Sequence, residues 1–202
     1  MSPHVLFLPG AGGSPAFWRP LGDRLPKSWR KTYLGWPGLG DQPRDSSIQG
    51  LDDLVTLAGR HIDGPCVIAA QSMGGIVALR LALQRPDNVR GLVLTVTSGG
   101  IDLAPHRPSD WRVDYARSFP AAAPWIYSAR ADLSAELDRI EAPTLLIWGD
   151  ADPISPVSVG EELARRLPNA RLRVIAGGTH DPVHDRADEL APPVRRHISR
   201  YF

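Results

Sequence analysis

A single serine lies between a strand pattern and a helix pattern in the first half of the chain. Residues 66–70 form a short apolar run typical of a buried strand, and residues 73–84 repeat apolar positions at helical spacing. Ser72 occupies the turn between them, with the small residues Ala70 and Gly74 two positions before and after it. A strand that passes directly into a helix holds such a residue in a strained backbone conformation, with its side chain facing outward. The segment predicts an exposed nucleophile, although taken alone it also fits an ordinary serine cap of a helix.

Two later strand patterns also end in residues that carry chemistry. The predicted strand at 144–148 runs into Asp150 and Asp152, and the predicted strand at 172–176 is followed by His180. These side chains leave their strands on the same side as the serine. A serine hydroxyl becomes an effective nucleophile when an imidazole accepts its proton, and a carboxylate holds that imidazole in the required tautomer. On this chemistry alone the two aspartates are nearly equivalent.

The turn at Ser72 resembles the G-x-S-x-G nucleophile elbow of the α/β-hydrolase superfamily, with Ala70 in place of the usual glycine. The chain order of serine, acid and histidine is also the order of that superfamily's catalytic triad. Residues 36–41, Trp-Pro-Gly-Leu-Gly-Asp, are similar to the P-G-x-G turn that follows the second strand of its core. The chain is therefore identified as a member of this superfamily, with a resemblance that extends from the first strand to the last helix.

The resemblance implies a role for each residue of the triad. Residues 149–152, Gly-Asp-Ala-Asp, are similar to a G-x-x-D motif in which the second acid serves, and this favours Asp152. Ser72 is then the nucleophile, His180 the general base, and Asp152 the carboxylate that orients the imidazole. The remaining acid, Asp150, is left to a loop or capping role.

Acyl transfer also needs backbone N–H donors where negative charge develops on the substrate oxygen. The resemblance implies that Met73, the residue after the nucleophile, supplies one of them. Residues 9–13, Pro-Gly-Ala-Gly-Gly, follow the first predicted strand and are similar to the family's H-G-x-x loop, with Pro9 at the usual histidine position. Ala11 is the expected second donor of this oxyanion hole. The same loop could cradle a phosphate, but it lacks both G-x-G-x-x-G and a P-loop lysine.

Strand patterns alternate with helix patterns along the whole chain, which predicts an α/β fold in one domain over residues 1–202. We expect a six-stranded, mostly parallel sheet, doubly wound with helices on both faces. The predicted strands are 5–8, 31–35, 66–70, 92–97, 144–148 and 172–176. The predicted helices are 17–25, 51–62, 73–84, 157–167 and 186–201.

An insertion separates the fourth and fifth predicted strands, far longer than an ordinary connection of ~2 to 6 residues. In the resembling family this position holds a cap over the active site, so we expect a small lid at about 99–141. The lid contains Trp111, Tyr115 and Trp125, which are predicted to line an apolar substrate pocket. An equally weighted alternative is that these rings only anchor the insertion to the sheet. Several prolines favour a short, irregular lid.

Charge and hydropathy give no support for nucleic acid or a membrane as a partner. The formal net charge is +1, which gives no electrostatic case for nucleic acid or an anionic membrane. No apolar run approaches the ~18 to 20 residues that cross a bilayer.

Cys66 is the only cysteine, so no intramolecular disulfide is possible, and a buried thiol in a cytoplasmic protein is expected. His180 and His184 have zinc-like spacing, but Pro182 interrupts the segment and no third ligand is evident, so no metal is predicted.

These observations predict a serine hydrolase that cleaves esters or related acyl compounds of small molecules through an acyl-enzyme intermediate, without a cofactor. Two alternatives remain open. The first is a thioesterase or another carbon-heteroatom hydrolase, since the same residues serve these reactions. The second is a non-catalytic ligand-binding protein that keeps the triad, because a fold does not determine a function.

Overall fold

A computed structural model describes residues 2–202, in which six strands form one sheet. The order across the sheet is β2-β1-β3-β4-β5-β6, and every neighbouring pair is parallel. The predicted six-stranded sheet is therefore confirmed, and it is parallel throughout rather than mostly parallel. The strands are β1 His4–Leu8, β2 Arg30–Tyr33, β3 Cys66–Gln71, β4 Val89–Thr95, β5 Thr144–Gly149 and β6 Ala170–Ile175.

Helices cover both faces of the sheet, as a parallel sheet requires. They are α1 Arg19–Gly22, α2 Leu51–Gly59, α3 Met73–Gln84, α4 Arg112–Ser118, α5 Trp125–Ser128, α6 Val157–Arg166, α7 Pro182–Asp185 and α8 Ala187–Ile198. Helices α2, α3 and α6 contribute to one apolar core, and α1, α7 and α8 contribute to the other. Alternation along β1 shows how the sheet divides them, because Leu6 and Leu8 belong to the first core and Val5 and Phe7 to the second.

The element boundaries differ from the predicted ones mainly where the sequence is polar or rich in proline. Strand β4 begins at Val89, three residues before the predicted start, because Val89 and Gly91 pair with Cys66 and Val67 of β3, with a shift of register at Arg90. Helix α1 has four residues, whereas a helix over 17–25 was predicted, because tight turns occupy residues 14–19 before it. Helix α3 has the predicted bounds, 73–84.

The insertion, residues 99–141, connects β4 to β5 and is short and irregular, as its prolines predict. It contains α4, α5 and the 3-10 turns Ala104–His106 and Leu137–Arg139. Pro120 follows the end of α4, and Pro124 is the cap residue of α5, so proline limits both helices. The side chain of Leu137 is fully buried, which fixes the insertion to the main core.

No helix within residues 2–202 is long and apolar enough to cross a membrane.

Candidate active site

Ser72 lies in a sharp turn between β3 and α3. Its φ is 51° and its ψ is −123°, a backbone conformation that residues other than glycine rarely adopt. The main-chain N–H of Ser72 donates to the oxygen of Thr95 at 2.9 Å, which ties the turn to β4. A Cβ atom on Gly74 would lie 2.4 Å from the Pro9 oxygen, so only glycine allows α3 to approach β1 this closely. The glycine of the motif therefore has a direct steric cause.

The structure brings Ser72, Asp152 and His180 together at the carboxyl edge of the sheet. They follow β3, β5 and β6. The Nε2 atom of His180 lies 3.1 Å from Ser72 Oγ, and its Nδ1 atom lies 2.7 Å from Asp152 Oδ2. With the proton on Nδ1 held by the carboxylate, Nε2 is free to accept from the serine hydroxyl. This arrangement has the connectivity of a nucleophile, a base and an orienting acid.

The two aspartates after β5 have separate partners. The Asp152 side chain has no exposed surface, and its Oδ1 accepts from the main-chain N–H groups of Ile154 at 2.8 Å and Ser155 at 3.1 Å. These bonds leave Oδ2 directed at the imidazole. The Asp150 carboxylate is exposed and accepts from the Gly177 N–H at 2.6 Å, which joins the loops after β5 and β6. Asp152, the predicted acid, is thus the one that contacts the histidine.

The loop at residues 9–13 is held against the turn at residues 36–40. The indole N–H of Trp36 donates to the Pro9 oxygen at 2.7 Å, and its main-chain N–H donates to the Gly13 oxygen at 2.9 Å. Gly13 has a φ of 69°, and a Cβ there would lie 2.5 Å from the Leu39 oxygen. Both glycine-rich motifs of the sequence are therefore parts of one packed unit beside Ser72.

The predicted oxyanion donors are the main-chain amides of Ala11, within the loop at 9–13, and of Met73, directly after Ser72. Met73 is the first residue of α3, where helix N–H groups lack partners within the helix. Within residues 2–202, neither amide donates a hydrogen bond to another protein group. Their role as oxyanion donors stays a prediction.

A sequence profile of the alpha/beta hydrolase family matches residues 5–192. The chain belongs to this family. The match includes every residue of the site described above, so the resemblance seen in the sequence is confirmed, and the predicted α/β-hydrolase fold with it.

A relative of this α/β hydrolase is the pimeloyl-[acyl-carrier protein] methyl ester esterase of Neisseria meningitidis serogroup C. It is 30% identical over 233 aligned positions, which cover 93% of this chain and 90% of the relative. Because the aligned positions outnumber the 202 residues of this chain, the relative contains segments that this chain lacks.

Solved structures show the same fold. An esterase from Thermogutta terrifontis superposes with a TM-score of 0.79 at 21% identity, covering 100% of this chain and 91% of the esterase. A putative lipase from Acinetobacter baumannii superposes with a TM-score of 0.80 at 21% identity, covering 99% of this chain and 84% of the lipase.

Gln71, which was not predicted from the sequence of this hydrolase, contacts the histidine loop. It ends β3 and is 5% exposed, and its side-chain Nε2 donates to the His180 oxygen at 3.3 Å. A Cβ on Gly10 would lie 2.1 Å from Gln71 Oε1, so the amide is packed against the loop at 9–13. The sequence feature that could have indicated this contact is a polar residue at the end of an otherwise apolar strand, directly before Ser72.

An open cleft of about 300 Å³ lies beside the histidine loop. The residues lining it are Ser14, Ala16, Phe17, Asp181 and His184. Its lining therefore includes Ser14, which follows the loop at 9–13, and Asp181, which follows His180. His184 is exposed and stacks on Phe17, with ring centroids 6.1 Å apart.

The predicted pocket residues Trp111, Tyr115 and Trp125 do not line this cleft. The Tyr115 ring is buried, and its hydroxyl contacts the loop at 9–13, so Tyr115 anchors the insertion. Trp111 packs edge-on against Tyr115 at 5.4 Å, and Trp125 is half-buried in the same core. Their role in binding substrate stays a prediction.

Within residues 2–202, no three His, Cys, Asp or Glu side chains are grouped so as to hold a metal ion.

Proposed function

We propose that this α/β hydrolase cleaves carboxylic esters of small molecules through an acyl-enzyme formed on Ser72. The observation that carries the proposal is the continuous contact from Asp152 through His180 to Ser72, with distances of 2.7 Å and 3.1 Å. The family and the esterase relatives support ester cleavage as the class of reaction. Every residue that the reaction needs belongs to this chain.

Acylation begins when the Ser72 hydroxyl passes its proton to His180 Nε2 and its oxygen attacks the ester carbonyl. The carbonyl oxygen becomes an oxyanion, which accepts hydrogen bonds from the Ala11 and Met73 amides. The buried Asp152 carboxylate stabilises the imidazolium formed in this step. When the carbonyl reforms, the bond to the alcohol breaks, and the imidazolium donates its proton to the departing oxygen.

Deacylation repeats these steps with water as the nucleophile. His180 accepts a proton from water, and the hydroxide oxygen attacks the acyl carbon. The same two amides hold the second oxyanion. Collapse breaks the bond to Ser72 Oγ, which recovers its proton from the imidazolium, and the carboxylic acid leaves. No cofactor enters this scheme.

The substrate is proposed as a small-molecule ester that binds with one end in the cleft beside His184. The cleft is open and has polar and apolar walls, including the Phe17 ring and the Asp181 carboxylate. Methyl esters of acyl chains are the first compounds to test, because relatives of this chain are named for that activity. A cytoplasmic location stays a prediction from the single cysteine.

Labelling with a fluorophosphonate tests this proposal without knowledge of the natural substrate. We expect one adduct by intact mass, mapped to Ser72 by peptide analysis and absent from Ser72→Ala. Ser128→Ala, which removes an exposed serine of α5, is the matched control and should label like the wild type. Ester turnover should fall by roughly 10³-fold or more in Ser72→Ala and His180→Ala.

The outcomes separate the alternatives. An adduct with faster turnover of acyl thioesters than of matched oxyesters would identify a thioesterase. No adduct on folded protein would contradict an activated serine and favour a ligand-binding protein. Retained ester turnover in a clean Ser72→Ala preparation would exclude the proposed mechanism.

A further inference from the structure

Through its hydroxyl group, Tyr115 connects the insertion to the loop at residues 9–13, called the oxyanion loop because it contains the proposed donor Ala11. The hydroxyl donates to the main-chain oxygen of Ala11 at 2.7 Å and accepts from the main-chain N–H of Gly40 at 3.0 Å. The residue is 8% exposed, although it belongs to α4 of the insertion. Burial raises the pKa of the phenol, so the hydroxyl remains protonated and able to donate near neutral pH.

The carbonyl that Tyr115 holds belongs to the residue whose amide is the proposed oxyanion donor. Because peptide groups are planar, the orientations of the Ala11 N–H and C=O groups differ only through the φ and ψ of Ala11. A hydrogen bond on the carbonyl restricts rotations that would turn the N–H away from the substrate oxygen. Donors stabilise an oxyanion efficiently only when they are in place before the charge develops.

Other contacts fix the position from which Tyr115 reaches the loop. The Ala123 N–H donates to the Gly38 oxygen at 2.7 Å, and the Arg44 guanidinium donates to the Ala121 oxygen at 2.9 Å. Both bonds join the insertion to the segment at residues 36–44, which also packs against the oxyanion loop. One packed unit therefore includes the insertion, this segment and the loop.

We infer that Tyr115 is a positioning residue for the oxyanion hole, which holds the Ala11 peptide in place and couples the docking of the insertion to the rate of acyl transfer. The inference rests on the proposed function, since it requires the Ala11 amide as a donor. It gives the insertion a role in the chemical step in addition to any role in covering the site.

Tyr115→Phe tests the inference because it removes the hydroxyl and keeps the ring. With p-nitrophenyl butyrate we expect kcat to fall about tenfold, less than the ~10² to 10³ that loss of a whole donor costs. KM should stay within about twofold, because the change affects the transition state and not ground-state binding. Tyr127→Phe is the matched control, since its ring lies 6.0 Å from that of Tyr115 in the same cluster, and its kcat should match the wild type.

A reversible transition-state analogue separates a positioning role from a pocket role. An alkyl trifluoromethyl ketone adds to Ser72 Oγ and places an anionic oxygen in the oxyanion hole. Its affinity should fall in Tyr115→Phe by the same factor as kcat. The corresponding trifluoromethyl alcohol cannot form this adduct, and its affinity should not change.

The fluorophosphonate adduct on wild-type Ser72 is established first. Its absence would overturn the proposed function and the inference with it. With the adduct present, the inference alone is overturned by an unchanged kcat in Tyr115→Phe, or by equal weakening of the ketone and the alcohol.

Circular dichroism and the melting temperature confirm the fold of the variant. If Tyr115→Phe does not fold, Arg44→Ala is tested in its place. This change removes the hydrogen bonds from Arg44 to the Ala121 oxygen of the insertion and leaves the sequence of the loop at 9–13 unchanged. A lower kcat at constant KM is then expected, and an unchanged kcat would overturn the coupling.

Discussion

The side-chain amide of Gln71 donates to the main-chain oxygen of His180 at 3.3 Å, so the residue before the nucleophile holds the residue that carries the base. The same Nε2 atom lies 3.3 Å from Asp181 Oδ1. The nucleophile elbow and the histidine loop come from strands that are not neighbours in the sheet. This buried amide is therefore a direct connection between the two segments whose spacing sets the 3.1 Å contact from His180 to Ser72.

We expect Gln71→Met to lower kcat several-fold, because methionine has a similar length but cannot donate to the His180 oxygen. Gln71→Glu should lower kcat further at neutral pH, since a second carboxylate then faces Asp181. The ratio of the kcat of Gln71→Glu to that of Gln71→Met should rise as the pH falls, because a protonated glutamic acid can donate. Steady-state kinetics across pH measure this ratio, and a wild-type kcat in Gln71→Met would exclude the role.

The two aspartates after β5 give opposite predictions. Asp152→Asn should lower kcat by about 10³- to 10⁴-fold while the fold is kept, because an amide favours the wrong tautomer of His180. Asp150→Asn should keep kcat and lose at most about 1 kcal/mol of unfolding free energy, since its bond to Gly177 is exposed. Kinetics and urea denaturation on both variants provide the check. A large loss of kcat in Asp150→Asn would reverse the assignment.

The fold was predictable because its signals are local in the sequence. Buried parallel strands appear as apolar runs, as in residues 66–70, and the bounds of α3 follow from Ser72 before it and Pro86 after it. Because parallel strands place their carboxyl ends at one edge of the sheet, Ser72, Asp152 and His180 could be predicted to lie at the same edge.

The contact that Tyr115 makes with the loop at 9–13 was not predictable, because it joins residues far apart in the sequence. Its hydroxyl contacts Ala11, 104 positions away, and the path of the insertion between them has no regular pattern. An aromatic residue in a lid fits both a pocket and an anchor, and only the three-dimensional path decides between them. Gln71 is similar, because its partner lies 109 positions away in a loop.

Gly74 is expected to tolerate no side chain. In Gly74→Ala the new Cβ would lie 2.4 Å from the Pro9 oxygen, so α3 or β1 must shift. We expect a loss of about 1 to 3 kcal/mol in unfolding free energy, as for overpacked cores. Gly64→Ala is the matched control, since no atom lies within 4 Å of the Cβ position there. Urea denaturation measures both, and equal stability of the two variants would contradict the steric argument.

Cys66 is expected to be unreactive in the folded protein. It starts β3 with no exposed surface, and burial raises the pKa of its thiol to about 12, so the reactive thiolate is rare. Incubation with Ellman's reagent at about pH 8 should give no colour until guanidinium chloride unfolds the chain. Cys66→Ala should give none in either state. Rapid reaction of the native protein would show that β3 opens readily at its start.

His197 should make the stability of the fold depend on pH. Its Nε2 lies 3.0 Å from the Leu92 oxygen. Burial lowers the pKa of the imidazole below its ordinary 6.5 and outweighs the hydrogen bonds to the Leu92 and Pro143 carbonyls, which raise it. As the pH falls through 6.5, the imidazole binds a proton more readily in the unfolded chain than in the folded one, so the free energy of unfolding falls.

Urea denaturation at several values between about pH 8 and about pH 5 should show this decrease in the free energy of unfolding. His197→Gln, which can still donate to the Leu92 oxygen, should reduce the slope of the free energy of unfolding against pH. Burial also lowers the pKa of His4, so part of the slope should remain in His197→Gln. An undiminished slope in that variant would assign the pH dependence to other groups.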